Sequence, residues 1–186
     1  MNIFWLDFDF TKCAQYHCDK HVIKMILELA QLLCTAHRIL DGNMIEEEYV
    51  TKSNKKRKRK VYKLDSEQDT QLYKATHVNH PCAKWVRECD KNYDATYNLF
   101  VALCAEYTHR YGKIHKCQEK FQETLASCPS SIPRTDEMTT PALAMPDECK
   151  VDASVTESYR NYYKSDGKKH IVTWNKNRPA PEWFNA

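Results

Sequence analysis

The sequence predicts an all-α fold: a compact single-domain helical bundle with a mobile basic loop and an extended aromatic C-terminal tail. Apolar residues recur at three- and four-residue steps along most of the chain, while strand-like alternation is limited to Ile3 to Leu6 and Val61 to Leu64. A length of 186 residues, with 42% hydrophobic and 28% charged, suits one domain spanning residues 1–186.

Between Thr11 and about Leu40, Cys13, Tyr16, Val22, Ile23, Ile26, Leu27, Ala30, Leu33 and Ala36 follow helical spacing. Asp9 or Thr11 is available as the N-cap, and the stretch is one helix or two joined near Cys18. Asp41-Gly42-Asn43 stops it, and residues 41–66, acidic then basic with almost no apolar periodicity, read as a mobile surface loop. His80-Pro81 starts a second helix near Cys82, because proline is tolerated in a helix's first turn and disfavours helix just before itself. Tyr93, Tyr97, Phe100, Cys104, Tyr107 and Tyr111 draw a single buried seam that Gly112 ends, and Ile114, Cys117, Phe121 and Leu125 repeat the pattern on a shorter helix. Four prolines in the region 128–150 forbid a long element and predict an ordered loop. Asp152 can cap a last helix carrying Val155, Tyr159, Tyr162 and Tyr163, after which Trp174, Trp183 and Phe184 must bury their rings against the bundle.

Composition excludes several classes. No apolar run approaches the ~20 residues that span a bilayer, and the first nine residues carry acids where a secretory signal needs bases. Nine cysteines, an odd count with no C-x-x-C spacing, read as reduced thiols of an intracellular protein in cytoplasm or nucleus. Three glycines are too few for Rossmann or P-loop phosphate binding. The net charge of +3 conceals an asymmetry: Lys52, Lys55, Lys56, Arg57, Lys58, Arg59, Lys60 and Lys63 supply +8, so the remainder is −5.

His17, His21, Lys24, Glu28 and Gln31 share one helical stripe. As a solvated face it needs only a Lys24/Glu28 i,i+4 pair. As a catalytic wall it gives Glu28 the general acid/base role, lets His21 orient groups or shuttle protons, and makes Lys24 a nucleophile or an anion clamp. Cys13, His17 and His21 also have a spacing that fits zinc, with His77, His80, Cys82 and His115 as further ligand candidates. Arg110 and Lys113, among Tyr107, Tyr111, His115 and Lys116, suit a phosphate and a stacked base, or simply complement a helix C-terminus. The run Lys55, Lys56, Arg57, Lys58, Arg59, Lys60 reads as a nucleic-acid tether, a nuclear-import sequence or a solvated loop.

Six segments together carry a resemblance: residues 16–28, Asn79-His80-Pro81-Cys82 through Arg87, Glu106 through Lys113, Ala142-Leu143-Ala144-Met145-Pro146, Tyr159 through Tyr163, and the Pro-Glu-Trp-Phe tail. Over nearly the whole chain these resemble a helical protein family of tailed phages and large DNA viruses, which implies a viral-type protein linked to nucleic-acid metabolism. The basic run departs from that family's compact pattern. In layout the chain also resembles the small phage-type pyrimidine-dimer DNA glycosylases. There an N-terminal amine forms an imine with the sugar of the damaged nucleotide and a first-helix glutamate assists, which by position nominates Glu28. That family's terminus is a small residue exposed by methionine removal. Asn2 leaves Met1 in place here, so the resemblance passes the amine to Lys20 or Lys24.

The reading is therefore a nucleic-acid-processing protein, a DNA glycosylase/lyase without a cofactor, in which His21, Lys24 and Glu28 are catalytic. Lys55 to Lys60, Arg110 and Lys113 contact nucleic acid. One alternative is a non-enzymatic nucleic-acid-binding or adaptor protein. The other is a metal-dependent hydrolase with zinc on His17 and His21. Oligomeric state leaves no mark on the sequence.

Overall fold

The computed structural model describes residues 1–185. Its first element, α1 (Phe10–Tyr16), is capped by Asp9, whose carboxylate accepts the Lys12 N–H at 2.9 Å. The chain breaks at His17-Cys18 and resumes as α2 (Asp19–Leu40), so the first helical stretch is two helices. After β1 (Asn43–Val50), β2 (Lys56–Lys63) and a short turn, α3 (Gln68–Gln71), come α4 (Pro81–Val86) and α5 (Asp90–Tyr111). The His80 ring caps α4 by accepting the Cys82 N–H at 3.2 Å. Gly112, left-handed at φ +62°, ends α5. Next are α6 (Lys116–Phe121) and α7 (Val155–Lys164), the latter capped by Ser154 rather than Asp152. The short α8 (Asp166–Lys169) and α9 (Glu182–Asn185) complete the order. Between residues 128 and 150 the only regular element is a 3-10 turn at Asp147–Cys149.

The all-α expectation is overturned by β1 and β2, which pair antiparallel, so the fold is mixed helix and strand. Residues 41–66, expected to be a mobile loop, form a ribbon. Apolar alternation is missing because neither face is covered; the register instead sets Glu46, Glu47 and Glu48 opposite Lys60, Arg59 and Lys58. Glu47 accepts from Arg59 at 2.7 Å, and the Arg59 guanidinium lies 5.0 Å from the Tyr49 ring centroid. At the root, the buried Arg38 of α2 donates to the carbonyls of Tyr62, Asp69, Leu72 and Tyr73 and to the Asp69 carboxylate. A side chain at Gly42 would collide with the Arg38 carbonyl, so the exit from α2 needs glycine there.

The core lies where α2 packs on α4 and α5, and α1 on α5. Tyr93, Phe100 and Cys104 of the α5 seam are fully buried. Ile3, Phe4, Trp5 and Leu6 form no strand; they pass through the core, all buried, with the Leu6 N–H donating back to the Phe4 carbonyl at 3.0 Å. Each of these four side chains stabilises the fold by roughly 1.5–3 kcal/mol, and together they fix where the first two residues lie. Among the described residues no helix is long and apolar enough to cross a membrane.

Candidate active site

Glu28, on α2, has a side chain that is 12% exposed and receives three nitrogens. Its Oε2 accepts the Asn2 backbone N–H at 3.0 Å and lies 3.8 Å from the Met1 α-ammonium. Its Oε1 lies 3.2 Å from Lys24 Nζ, whose side chain is 65% exposed. The Met1 side chain is buried, at 3%, although the residue as a whole is partly exposed, so the exposure falls on the main chain beside the amine.

Asn2 holds this arrangement in place. Its Nδ2 donates to the Ala144 carbonyl at 2.8 Å, while its Oδ1 accepts from the Ile3 N–H at 2.8 Å and from the Tyr159 hydroxyl at 3.0 Å. Tyr159 is itself buried on α7. The first amine is therefore attached to a residue that is hydrogen-bonded on three sides.

Lys168 and His80 also feel the charge of Glu28. The Lys168 ammonium lies 5.5 Å from the Phe4 ring centroid and 5.1 Å from that of Tyr162. Partial burial and the charge on Lys24 pull its pKa down, against the pull of Glu28. Burial and the terminal ammonium likewise lower His80, with Glu28 opposing.

His21 is buried with Nδ1 2.6 Å from the Tyr163 hydroxyl, and its ring stacks on Phe4 at 4.6 Å. Burial first, then the charges of His17, Lys168 and Lys24, push its pKa down to about 3, so the ring is neutral. His17 Nδ1 lies 2.7 Å from the Cys13 carbonyl, so it carries the proton, and the buried Nε2 has no hydrogen-bond partner among the described residues. Burial lowers His17 to about 4. Among the described residues no group of three or more His, Cys, Asp or Glu converges on one point.

Arg110 and Lys113 are set apart from Glu28. The Arg110 side chain is fully buried, donating to Glu106 at 2.7 Å, Asp19 at 2.9 Å and the Gln15 carbonyl at 2.8 Å. Glu106 also accepts from Arg178 at 2.8 and 2.9 Å. With Nε and both terminal nitrogens engaged inside the protein, Arg110 is not presented to a ligand. Lys113 is exposed just past Gly112. Lys55 lies in the ribbon's turn, and Lys56, Arg57, Lys58, Arg59 and Lys60 lie on β2.

Of the nominated catalytic residues, Lys24 and Glu28 meet directly and His21 stands behind them against Phe4. Sequence reasoning missed Met1, Asn2, Tyr159 and Lys168. A retained methionine departs from a processed terminus and so hides Met1; Tyr159 reads only as one ring of an apolar helical face, and Asn2 and Lys168 lie in no periodic pattern.

A main-chain amine and an exposed lysine, both on one largely buried carboxylate, make up a centre suited to attack by a primary amine under carboxylate assistance. The pyrimidine dimer DNA glycosylase family matches residues 1–119, and the chain belongs to that family. No curated protein and no solved structure matches the chain. The matched span contains Met1, Asn2, Lys24, Glu28 and His80, whereas Tyr159, Tyr162, Tyr163 and Lys168 come from the remainder.

Proposed function

We propose that this protein is a DNA glycosylase/lyase acting on pyrimidine dimers, with the Met1 α-amine as nucleophile and Glu28 as its acid/base partner. The supporting observation is the 3.8 Å separation of the Met1 amine from Glu28 Oε2, on an oxygen that also holds the Asn2 N–H at 3.0 Å. Lys24 touches the same carboxylate, but its side chain is 65% exposed on a flexible stem. The α-amine is anchored through Asn2, and a fixed nucleophile loses less freedom on reaching the reacting carbon.

In this reading the target nucleotide leaves the stack. Glu28 takes a proton from the ammonium, and the freed lone pair attacks C1′ of the deoxyribose. The bond from C1′ to pyrimidine N1 breaks with its electron pair leaving on the base, which takes up a proton. The nitrogen then gives up a proton, the C1′–O4′ bond breaks with its electron pair leaving on O4′, which takes up a proton, and a protonated imine joins C1′ to the Met1 nitrogen. Loss of a C2′ proton to a carboxylate expels the 3′-phosphate and cleaves the strand. Lys24 holds the phosphate beside the site, and His21 is a positioning residue that keeps Phe4 in place by stacking. The nine unpaired thiols fit action on DNA inside a cell.

The test is strand cleavage of duplex DNA carrying one cyclobutane dimer, comparing wild type with Glu28→Gln. The reading expects cleavage at the dimer by wild type, reduced about 10²–10⁴-fold in the variant. Equal cleavage by a folded Glu28→Gln protein would remove Glu28 from the mechanism. Salt-sensitive DNA binding with no cleavage would favour the non-enzymatic binder.

A further inference from the structure

The ribbon of β1 and β2 plays no part in the chemistry at Glu28, and its charge is unevenly distributed. Residues 43–63 carry eight basic and three acidic side chains, a net +5. All three acids, Glu46, Glu47 and Glu48, lie on β1 opposite Lys60, Arg59 and Lys58. Glu47 pairs with Arg59 at 2.7 Å, and Glu46 lies 3.8 Å from Lys58 Nζ. The middle of the ribbon is thus nearly balanced across the strands. Beyond it lie Lys52, Lys55, Lys56 and Arg57, all exposed and with no acid between Val50 and Lys58.

The turn that gathers these four cations is built. The Thr51 N–H donates to the Lys55 carbonyl at 2.9 Å, the Lys55 N–H donates back to the Thr51 hydroxyl at 3.1 Å, and Asn54 takes the left-handed conformation at φ +58°. The strands are eight residues each, so the tip stands about 25 Å from the root. The root follows Leu40 on the helix that carries Glu28, about 18 Å further along its axis. The β2 main chain is already paired with β1, so the basic run is not offered as a free extended peptide to a peptide reader. The ribbon offers its charge.

We infer that the tip of this ribbon, Lys52, Lys55, Lys56 and Arg57, is an arm that grips the phosphate backbone of duplex DNA away from the reacting nucleotide, independently of sequence. The identity of the partner rests on the DNA-repair reading of Glu28; the charge pattern stands without it. The arm adds affinity through counterion release. Lys58, Arg59 and Lys60, matched by acids, serve mainly to hold the ribbon together.

The experiment is fluorescence anisotropy of an undamaged 20-base-pair duplex, titrated at several potassium chloride concentrations. It compares wild type, the fourfold variant K52Q/K55Q/K56Q/R57Q, and E46Q/E48Q. The fourfold variant should bind at least tenfold more weakly near 100 mM salt, with the slope of log affinity against log salt reduced by up to about 3–4, since each lost phosphate contact removes ~0.9. E46Q/E48Q should bind more tightly than wild type, which a purely structural role for the ribbon does not produce. An unchanged salt slope in the fourfold variant would overturn the arm and leave the charge to a protein partner such as a nuclear-import receptor. Borohydride trapping of wild type on damaged DNA reads the active site separately. An adduct without the slope difference defeats the arm alone, whereas the slope difference without an adduct defeats the Glu28 chemistry and leaves the arm standing.

Discussion

Glu28 and Glu106 are both helix carboxylates with cations on either side, yet Glu28 faces amines and Glu106 faces guanidiniums. Burial raises the Glu106 carboxyl, but the hydrogen bonds from Arg178 and Arg110 outweigh it and hold the group below the usual carboxylate range. The Arg110 side chain has no exposure, and its second carboxylate, Asp19, also accepts the Asn175 N–H at 2.6 Å. That cluster ties the end of α1, the start of α2, α5 and the C-terminal tail into one junction. Around Glu28 the cations are a main-chain amine and an exposed lysine. A guanidinium stays protonated and pairs permanently, whereas a primary amine can lose its proton and attack carbon. The same charge pattern therefore locks one region and arms the other.

Glu28→Gln breaks the comparison on the chemical side, and its large loss of cleavage should come with little change in thermal unfolding, because glutamine can still accept the Asn2 N–H. Arg110→Met breaks it on the structural side. Removing the guanidinium leaves Asp19 and Glu106 short of a buried partner, and the loss should be about 3–5 kcal/mol in denaturant unfolding. Glu28→Gln destabilised as much as Arg110→Met would erase the distinction between the two regions.

A smaller effect is expected at Asn2. Asn2→Asp removes the donor to Ala144 and loosens the first residue, so single-turnover cleavage at saturating DNA should fall by about tenfold while DNA affinity stays within about twofold. A change in affinity alone would mean that Asn2 serves binding instead. Acid should weaken the fold through the histidines behind the site. His17 and His21 are pushed down to about 4 and about 3, so between there and the ordinary value near 6.5 the unfolded chain binds protons that the folded one refuses. Their contribution is complete above about pH 6.5 and declines as pH falls towards 4. Thermal midpoints measured from pH 7 to pH 4.5 check this, and a flat profile would contradict it. The smallest effect is at Lys24: Lys24→Ala should weaken DNA binding by a few fold and leave the imine-forming step in place.

The parts of the fold legible in the sequence are those set by local chemistry. The α5 seam, the His80-Pro81 helix start and the Gly112 stop each depend on residues a few positions apart. The ribbon was illegible because its order comes from Glu46–Glu48 meeting Lys58–Lys60 across a register, with no buried face to impose alternation. Lys24 and Glu28 could be read as a pair because they are neighbours on one helix. The amine opposite them could not, since Met1 is placed by Asn2 bonds to Ala144 and Tyr159, which are 142 and 157 residues away in sequence. The helix-end position of Arg110 suits a phosphate ligand, but Glu106 one turn back and the distant Asp19 and Gln15 carbonyl take all of its donors inward.

The most direct measurement is borohydride trapping on duplex DNA containing a pyrimidine dimer, followed by peptide mapping of the adduct by mass spectrometry. The account predicts a single covalent adduct on the Met1 α-amine, strongly reduced in Glu28→Gln. An adduct on Lys24, or no adduct from a protein whose terminal amine is shown to be free, would contradict it.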